Sequence, residues 1–389
     1  MSVWRRYLAV ATAGTLALVA LTGALNWFVD PFWFYGGVTV TGVNAIKPEF
    51  PYRERESKPF IVARRQPSAV ILGSSYAEIG LDPAHPALAV GGYDTYNFGL
   101  IGGSWRRIYC NFDFALRVAP LRRVILAVDA TAMPTVTCDG DIGVFGPFDH
   151  LRNLLSIDTL KSSLVTLLQQ RPSARTHDDN GLFFYTKRSA SVFERFARAL
   201  RKRVRERDPT AATKPATAPE TNFSGLTTLI ARAAGGGVEV IVVVHPRHAY
   251  VREVLIRNGA KAGYWATIRG LVAAIEDQAR TSGVEVAVWD FADYDALTAE
   301  PVRRGRAMTY WQDPGHYNTA FGDAMFDRMF GCVRPACEGA PPFGHKLSTA
   351  TLDGRIAAFD AARSDYISAH PEFTDNLADV LAGAGGGAP

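Results

Sequence analysis

Cysteine is scarce in this chain of 389 residues, which contains four of them and no Cys-x-x-Cys pair. Since no histidine is spaced to join these cysteines, the pattern does not favour a zinc site at them. We predict no metal and no cofactor. An even cysteine number is typical of disulfides in an oxidising compartment. Of the three pairings, we favour Cys110 with Cys138, which flank a predicted strand, and Cys332 with its neighbour Cys337. The alternative is four buried free thiols.

Signals for nucleic-acid binding are weak, and the sequence has no internal repeat. The net charge of +4 is small, and no aromatic platform or recognised motif accompanies the one dense basic cluster. We interpret that cluster as a solvated helix face and predict no nucleic-acid partner. It consists of Arg201, Lys202, Arg203, Arg205 and Arg207.

Charge is also absent from the long apolar run between Leu8 and Val29. About 20 apolar residues span a bilayer as a helix, and Arg5 and Arg6 before the run favour a cytoplasmic start. The alternative is a cleaved signal peptide, for which Thr22-Gly23-Ala24 is the best cleavage site. Because the run is longer than a signal peptide needs, we predict a retained transmembrane anchor. Both readings place the chain after residue 30 outside the cytoplasm.

Short apolar runs alternate with helical patterns along the rest of the chain. This alternation predicts an α/β fold, in which a parallel sheet is covered by helices on both faces. Ligands bind such sheets beyond the carboxyl ends of the strands. The predicted strands cover residues 69–72, 95–98, 124–128, 238–244 and 284–289, and the clearest helices cover 104–118, 263–281 and 319–329.

The connection between the third and fourth predicted strands is far longer than the usual link of about 4–6 residues. We interpret 133–222 as an insertion with helices over 151–170 and 191–207, followed by a flexible linker over 208–221. The predicted segments are the cytoplasmic start and anchor (1–30), a connector (31–65), the main domain with its insertion (66–338), and an extension with a disordered end (339–389).

Two motifs carry the candidate chemistry. Ser75 lies in Gly73-Ser74-Ser75 directly after the first predicted strand, a position that exposes a nucleophile on a tight turn. Asp313 and His316 are three residues apart, a spacing that lets the carboxylate orient the imidazole while the other ring nitrogen accepts the serine proton. The order of these motifs predicts a Ser75–His316–Asp313 triad.

The same blocks resemble those of the SGNH, or GDSL-type, hydrolases. Ser75 matches the nucleophile of their Gly-Asp-Ser block, although Ser74 replaces the aspartate. Asn97-Phe98-Gly99-Leu100-Ile101-Gly102 resembles their Asn-x-Gly-x-x-Gly block, and Asp313 with His316 matches their Asp-x-x-His block. The resemblance implies a three-layer α/β/α domain and an oxyanion hole formed by the backbone N–H groups of Ser75 and Gly102.

The third family block, Gly-x-Asn-Asp, is absent, because the third strand is followed by Asp129 rather than by an asparagine. A second side-chain donor to the oxyanion is therefore missing from the pattern. Residues that could line the site are Ser74, Asn97, Asp129, His245 and Arg247.

The resemblance extends in style to membrane-tethered proteins of envelope-polymer modification, such as the alginate O-acetylation and teichoic acid D-alanyl-transfer proteins. It implies an esterase or O-acyltransferase that acts on acyl, mainly acetyl, groups of a cell-envelope glycan. The implied location is the periplasmic face of a bacterial inner membrane, beside a polytopic membrane O-acyltransferase. The alternatives are a non-catalytic scaffold that binds a glycan or that enzyme, and a lipase- or thioesterase-like hydrolase.

Overall fold

In the computed structural model, residues 3–138, 142, 146–185, 191–205, 222–337 and 343–382 are described. The predicted linker over 208–221 and the predicted disordered end lie outside these residues. The chain divides into two compact units. The first comprises Met1–Gln66, Gly140–Asp179 and Phe183–Thr186, and the second comprises Pro67–Asp139, Asn180–Leu182 and Lys187–Pro389.

A six-stranded sheet forms the centre of the second unit, with the strand order β2-β1-β3-β4-β5-β6. The first five strands are parallel and β6 pairs antiparallel with β5. The sheet confirms the predicted α/β class. The strands are β1 (Ala69–Leu72), β2 (Thr95–Asn97), β3 (Arg123–Val128), β4 (Glu239–Val244), β5 (Val286–Asp290) and β6 (His345–Leu347).

Helices make up most of the remaining described structure. In chain order they are α1 (Val3–Val29), α2 (Glu54–Arg65), α3 (Ser75–Gly80), α4 (Pro86–Ala89), α5 (Trp105–Val118), α6 (Pro147–Leu154), α7 (Ile157–Leu168), α8 (Val192–Arg205), α9 (Ser224–Gly235), α10 (Ala249–Arg257), α11 (Lys261–Ser282), α12 (Thr319–Phe330), α13 (Leu352–Ala369) and α14 (Glu372–Ala382).

The central strands are buried because they consist of apolar β-branched and aliphatic residues. All four residues of β1 are buried, and β3 and β4 are buried after their first residue. Such continuous apolar strands are typical of a parallel sheet that is covered on both faces. Strands β1, β3 and β4 are neighbours, so their carboxyl ends lie side by side at one edge of the sheet.

The predicted insertion over 133–222 is divided between the two units. Helices α6 and α7 belong to the first unit together with α1, whereas α8 belongs to the second unit and packs against α10 and α14. Helix α2 was not foreseen in the predicted connector, because its mean composition is polar and it contains Pro59. Its acidic first turn and basic last turn complement the helix dipole.

The apolar amino-terminal run forms α1, which is long and apolar enough to cross a membrane, with a mean hydropathy of 2.0 over its best window. None of that window is buried against the described part of the chain. The helix ends at Val29, and the carboxylate of the next residue, Asp30, accepts hydrogen bonds from the N–H groups of Phe34, Tyr35 and Gly36. These bonds turn the chain sharply after the apolar segment.

The four cysteines form two disulfides, Cys110–Cys138 and Cys332–Cys337. This is the pairing that the positions in the sequence favoured. The first disulfide joins α5 to the segment that follows β3, and the second closes a short loop after α12. Paired cysteines are typical of proteins that fold in an oxidising compartment.

Candidate active site

The candidate nucleophile lies where β1 turns into α3. Ser75 is the first residue of α3, and Ser74 precedes it in an extended conformation as the helix N-cap residue. Within the described structure, the Ser74 side chain makes no capping hydrogen bond. Gly73 is required at this turn, because a Cβ there would lie 2.8 Å from the carbonyl oxygen of Ala127 on β3. The turn therefore presses the serine against the carboxyl edge of the sheet.

The three residues of the predicted triad form one hydrogen-bonded chain. The Oγ of Ser75 lies 2.8 Å from Nε2 of His316, and Nδ1 of the same ring lies 2.9 Å from both carboxylate oxygens of Asp313. Asp313 Oδ1 also accepts the backbone N–H groups of Gly315 and His316, at 2.9 and 3.0 Å. The side chains of His316 and Asp313 are 23% and 16% exposed, so the hydrogen-bonded triad is partly accessible to solvent.

Charge and hydrogen bonding determine the state of Asp313. Burial raises the pKa of this carboxyl. The hydrogen bond and charge of His316, together with the two backbone N–H groups, lower the pKa by more than burial raises it. The net pKa is below its ordinary value, so the group is ionised near neutral pH. An ionised carboxylate at Nδ1 favours the tautomer with a proton on Nδ1, which leaves Nε2 to accept the Ser75 hydroxyl proton.

Buried aromatic packing holds the loop that carries Asp313 and His316. Trp311 is 1% exposed and donates its indole N–H to the carbonyl oxygen of Leu297. The N–H of Gln312 donates to the carbonyl oxygen of His316 at 2.8 Å, which closes the turn on itself. Because α12 begins at Thr319, the imidazole is fixed between a closed turn and a helix start.

The glycine-rich segment after β2 packs against the Ser75 turn. The N–H of Leu100 donates to the carbonyl oxygen of Gly73, and a Cβ on Gly103 would lie 3.5 Å from the Cα of Ser74. Gly102 lies between Leu100 and Gly103 in the sequence and has a φ of 65°, in the left-handed region that glycine accepts most readily. Gly102 therefore lies in the loop beside the nucleophile.

Asn97 holds this arrangement from inside. Its side chain is fully buried and donates to the carbonyl oxygens of Ala77 and Leu81 at 2.9 and 2.8 Å. Its own carbonyl oxygen accepts the N–H of Gly99. Asn97 thus ties α3 to the glycine-rich loop, and its polar atoms are directed to backbone groups rather than to an open surface.

An ion pair lies at the carboxyl edge of the sheet, between residues that follow β3 and β4. Arg247 donates to Asp129 at 2.6 Å and to the hydroxyl of Tyr76 at 3.2 Å. Burial raises the pKa of Asp129, but the charges of Arg247 and His245 bring it below its ordinary value. Tyr76 follows Ser75, and its ring centroid lies 4.6 Å from that of His316. A guanidinium group is thereby linked to the triad through one tyrosine.

His245 follows β4 and is buried beneath this ion pair. Its Nδ1 lies 3.3 Å from the hydroxyl of Tyr317, and its ring packs on Tyr76 at a centroid distance of 4.8 Å. Burial lowers its pKa to about 4, which outweighs the opposing charge of Asp129. His245 is therefore neutral at neutral pH and supports the aromatic packing under the site.

One residue near the triad was missed from the sequence. Arg195 on α8 donates its Nε hydrogen to the carbonyl oxygen of Gln312 at 2.8 Å, directly before Asp313. Burial lowers the pKa of Arg195, against the raising charges of Asp313 and Glu194. The contact joins residues 117 positions apart, so no local spacing could have indicated it.

No protein-family model and no curated protein sequence matches this chain.

Proposed function

We propose that this protein is an SGNH-type serine esterase or O-acyltransferase with a three-layer α/β/α domain. One observation carries the proposal: the unbroken hydrogen-bonded chain from Ser75 through His316 to Asp313, at the carboxyl edge of a parallel sheet. Each member has the partner that acyl transfer requires, namely a nucleophile on its base and a base on its orienting acid.

In the proposed reaction, Ser75 Oγ attacks the carbonyl carbon of an acyl ester while its proton passes to His316 Nε2. The tetrahedral intermediate collapses to an acyl-serine, and His316 returns the proton to the departing alcohol. Water or an acceptor hydroxyl then attacks the acyl-serine with His316 as base. Attack by water releases the free acid, whereas attack by an acceptor hydroxyl forms a new ester.

The developing oxyanion is stabilised by backbone N–H groups in this proposal. The first helical position leaves the N–H of Ser75 without an acceptor inside α3, and in this proposal it donates to the oxyanion. Gly102 in the adjacent loop supplies the second N–H. Asp129 follows the third strand, where the family has its asparagine donor, and the positive charge of its partner Arg247, linked through Tyr76, favours negative charge at this edge.

We further propose that α1 anchors the protein in a bacterial inner membrane, with the sheet domain in the periplasm. The length and hydropathy of α1, the preceding Arg5 and Arg6, and the two disulfides support this orientation. The proposed substrate is an acylated, mainly acetylated, envelope glycan. The proposed partner is a polytopic membrane O-acyltransferase.

The test compares two adjacent serines. The full chain in mild detergent is treated with a fluorophosphonate probe and, separately, with p-nitrophenyl acetate. We expect Ser75→Ala to abolish labelling and lower turnover on the order of 10³-fold or more, as loss of a triad member does. Ser74→Ala should retain labelling, since it is the Ser75 hydroxyl that lies 2.8 Å from Nε2 of His316. Labelling that survives Ser75→Ala would contradict the proposed mechanism.

The second candidate function is a non-catalytic scaffold. The Asp129–Arg247 ion pair favours it, because Asp129 follows the third strand in place of the asparagine donor, and an ionised carboxylate cannot donate to an oxyanion. A wild-type chain that is neither labelled nor active, alone or with a membrane O-acyltransferase, and that still binds acetylated glycan, would support the scaffold.

A further inference from the structure

Helix α7 buries polar side chains and exposes large apolar ones, which is the reverse of a helix on a water-soluble surface. Its polar side chains Thr159, Ser163 and Thr166 are buried. Large apolar side chains point outward instead, with Ile157, Leu164 and Leu168 exposed by 69%, 48% and 84%. A helix on a water-soluble surface shows the opposite pattern, with its apolar stripe toward the core. The outer face of α7 therefore requires an apolar neighbour.

Helix α6 extends the same kind of surface. Phe148, Leu151 and Leu155 are 85%, 53% and 38% exposed. We call α6 and α7 together, residues 147–168, the α6–α7 hairpin. The charged pair Asp158 and Lys161 is exposed on α7, and their side chains bond to each other at 3.3 Å, which leaves no net charge from this pair. Several large exposed apolar groups on two short helices mark an interaction surface.

The buried polar face of the hairpin packs on the far end of α1. Ser163 donates to the Asn26 side-chain oxygen at 2.8 Å, and the Asn26 amide donates to the carbonyl oxygen of Leu154 at 2.7 Å. A Cβ added at Gly23 would lie 3.3 Å from Leu155 Cδ2, so the helices approach closely there. Small residues and inter-helix hydrogen bonds are the means by which helices associate in a bilayer.

The depth of this contact follows from helix geometry. Asn26 lies 20 positions after Arg6, which at a rise of about 1.5 Å per residue corresponds to about 30 Å, the thickness of the hydrocarbon core. Trp27 and Phe28 are exposed at the same level, as interfacial aromatic residues are. With Arg6 at one membrane surface, the α6–α7 hairpin meets α1 at the opposite surface.

We infer that the α6–α7 hairpin inserts its exposed apolar face into the outer leaflet of the bilayer that α1 spans. The inference rests on the membrane anchoring proposed above. The occupant is lipid rather than a protein partner, because the hairpin is hydrogen-bonded to the outer end of α1, the helix proposed to span the bilayer, whose apolar window is not buried. An in-plane amphipathic element beside a spanning helix gives this unit a second membrane contact.

The test places a polarity-sensitive fluorophore at single introduced cysteines in the full chain, whose native cysteines are paired in disulfides. The protein is reconstituted in phosphatidylcholine–phosphatidylglycerol vesicles, with and without lipid carrying a nitroxide on its acyl chain. The sites are Leu164→Cys and Leu168→Cys on the hairpin, Leu16→Cys on α1, and Val90→Cys on the sheet unit, where Val90 is 61% exposed.

We expect blue-shifted emission and several-fold stronger nitroxide quenching at both hairpin sites than at Val90→Cys. Quenching at Leu16→Cys with water-like, unquenched emission at the hairpin sites would overturn the inference and leave the anchor intact. Absence of quenching at Leu16→Cys as well would overturn the anchoring proposal together with the inference. Blue-shifted emission that lipid nitroxide does not quench would show that protein covers the face, and would also overturn the inference.

Discussion

Asp313 accepts more of the hydrogen bonds described in the site than either other member of the triad. Its Oδ1 accepts two backbone N–H groups and the carboxylate accepts the imidazole N–H of His316. An acceptor-only group is required here, because all three neighbours are donors. The carboxylate thus selects one imidazole tautomer and also shapes the turn that presents the ring.

We therefore expect Asp313→Asn to lower the turnover of p-nitrophenyl acetate on the order of 10³- to 10⁴-fold, with little change in circular dichroism. The amide offers one acceptor oxygen and an NH2 group that meets the imidazole N–H, so the ring adopts the wrong tautomer. Asp158→Asn, at an exposed side chain of α7, serves as the control and should leave turnover unchanged. Equal turnover in both variants would remove Asp313 from the mechanism.

Single residues differed in how far the sequence could identify them. Ser75, Asp313 and His316 were predicted, because each lies in a short motif beside a predicted strand or turn. Arg195 contacts the loop before Asp313 through a pairing between distant segments, and no motif marks it. Asn97 was expected to line the site, but its buried amide instead holds the backbone of α3.

At the scale of helices, the separation between Ser75 and His316 depends on a glycine contact. Ser75 is the first residue of α3, and His316 shortly precedes α12. The two helices pack together. A Cβ on Gly322 of α12 would overlap the carbonyl oxygen of Gly80 on α3, and one on Gly80 would overlap the Tyr317 ring. Only glycine at both positions allows this approach.

We expect Gly322→Ala to reduce fluorophosphonate labelling strongly and to lower the free energy of unfolding by about 1–3 kcal/mol, because α12 must move away from α3. The matched control is Gly354→Ala in α13, where no described atom lies within 4 Å of the added methyl group. Removing glycine from a helix interior should stabilise that variant by about 0.5–1 kcal/mol. Urea titrations measure both effects, and normal labelling of Gly322→Ala would contradict the argument.

Strands and long helices were more predictable than short or polar elements. The predicted strand over 69–72 matches β1, and Ser104 caps α5 by accepting the N–H of Arg107. Strand β6 was missed, since its three residues carry no periodic pattern and it forms only through antiparallel pairing with β5. The reversed burial pattern of α7 was also missed, because burial of its polar face depends on contact with α1.

At the scale of the whole molecule, two buried histidines make stability depend on pH. Burial lowers the pKa of His245 to about 4 and that of His248 to about 3. His248 accepts the N–H of Tyr250 at Nδ1 and contacts the carbonyl oxygen of Glu300 through Nε2. A second proton on the His248 ring would lie on Nδ1 and point at the N–H of Tyr250, which is itself a donor. Both rings are therefore neutral in the folded chain.

Unfolded histidines bind protons below about pH 6.5, whereas these two folded histidines do not until about pH 4 or lower. The free energy of unfolding should therefore fall as the pH drops from 6.5 to 4, by up to about 1.4 kcal/mol per pH unit for each histidine. Urea titrations between pH 7.5 and 4.5 measure the slope. His245→Gln should make it shallower. An unchanged slope in His245→Gln would contradict the assignment.

The 241 positions between Ser75 and His316 also have a consequence for biosynthesis. In a chain exported behind its amino-terminal anchor, the serine leaves the translocation pore long before the histidine. Until the segment leading into α12 has emerged, the serine hydroxyl has no base and is an ordinary alcohol. Under the proposed orientation and function, the growing polypeptide is thus inert toward esters during export, and the proposed chemistry begins only when most of the chain is outside.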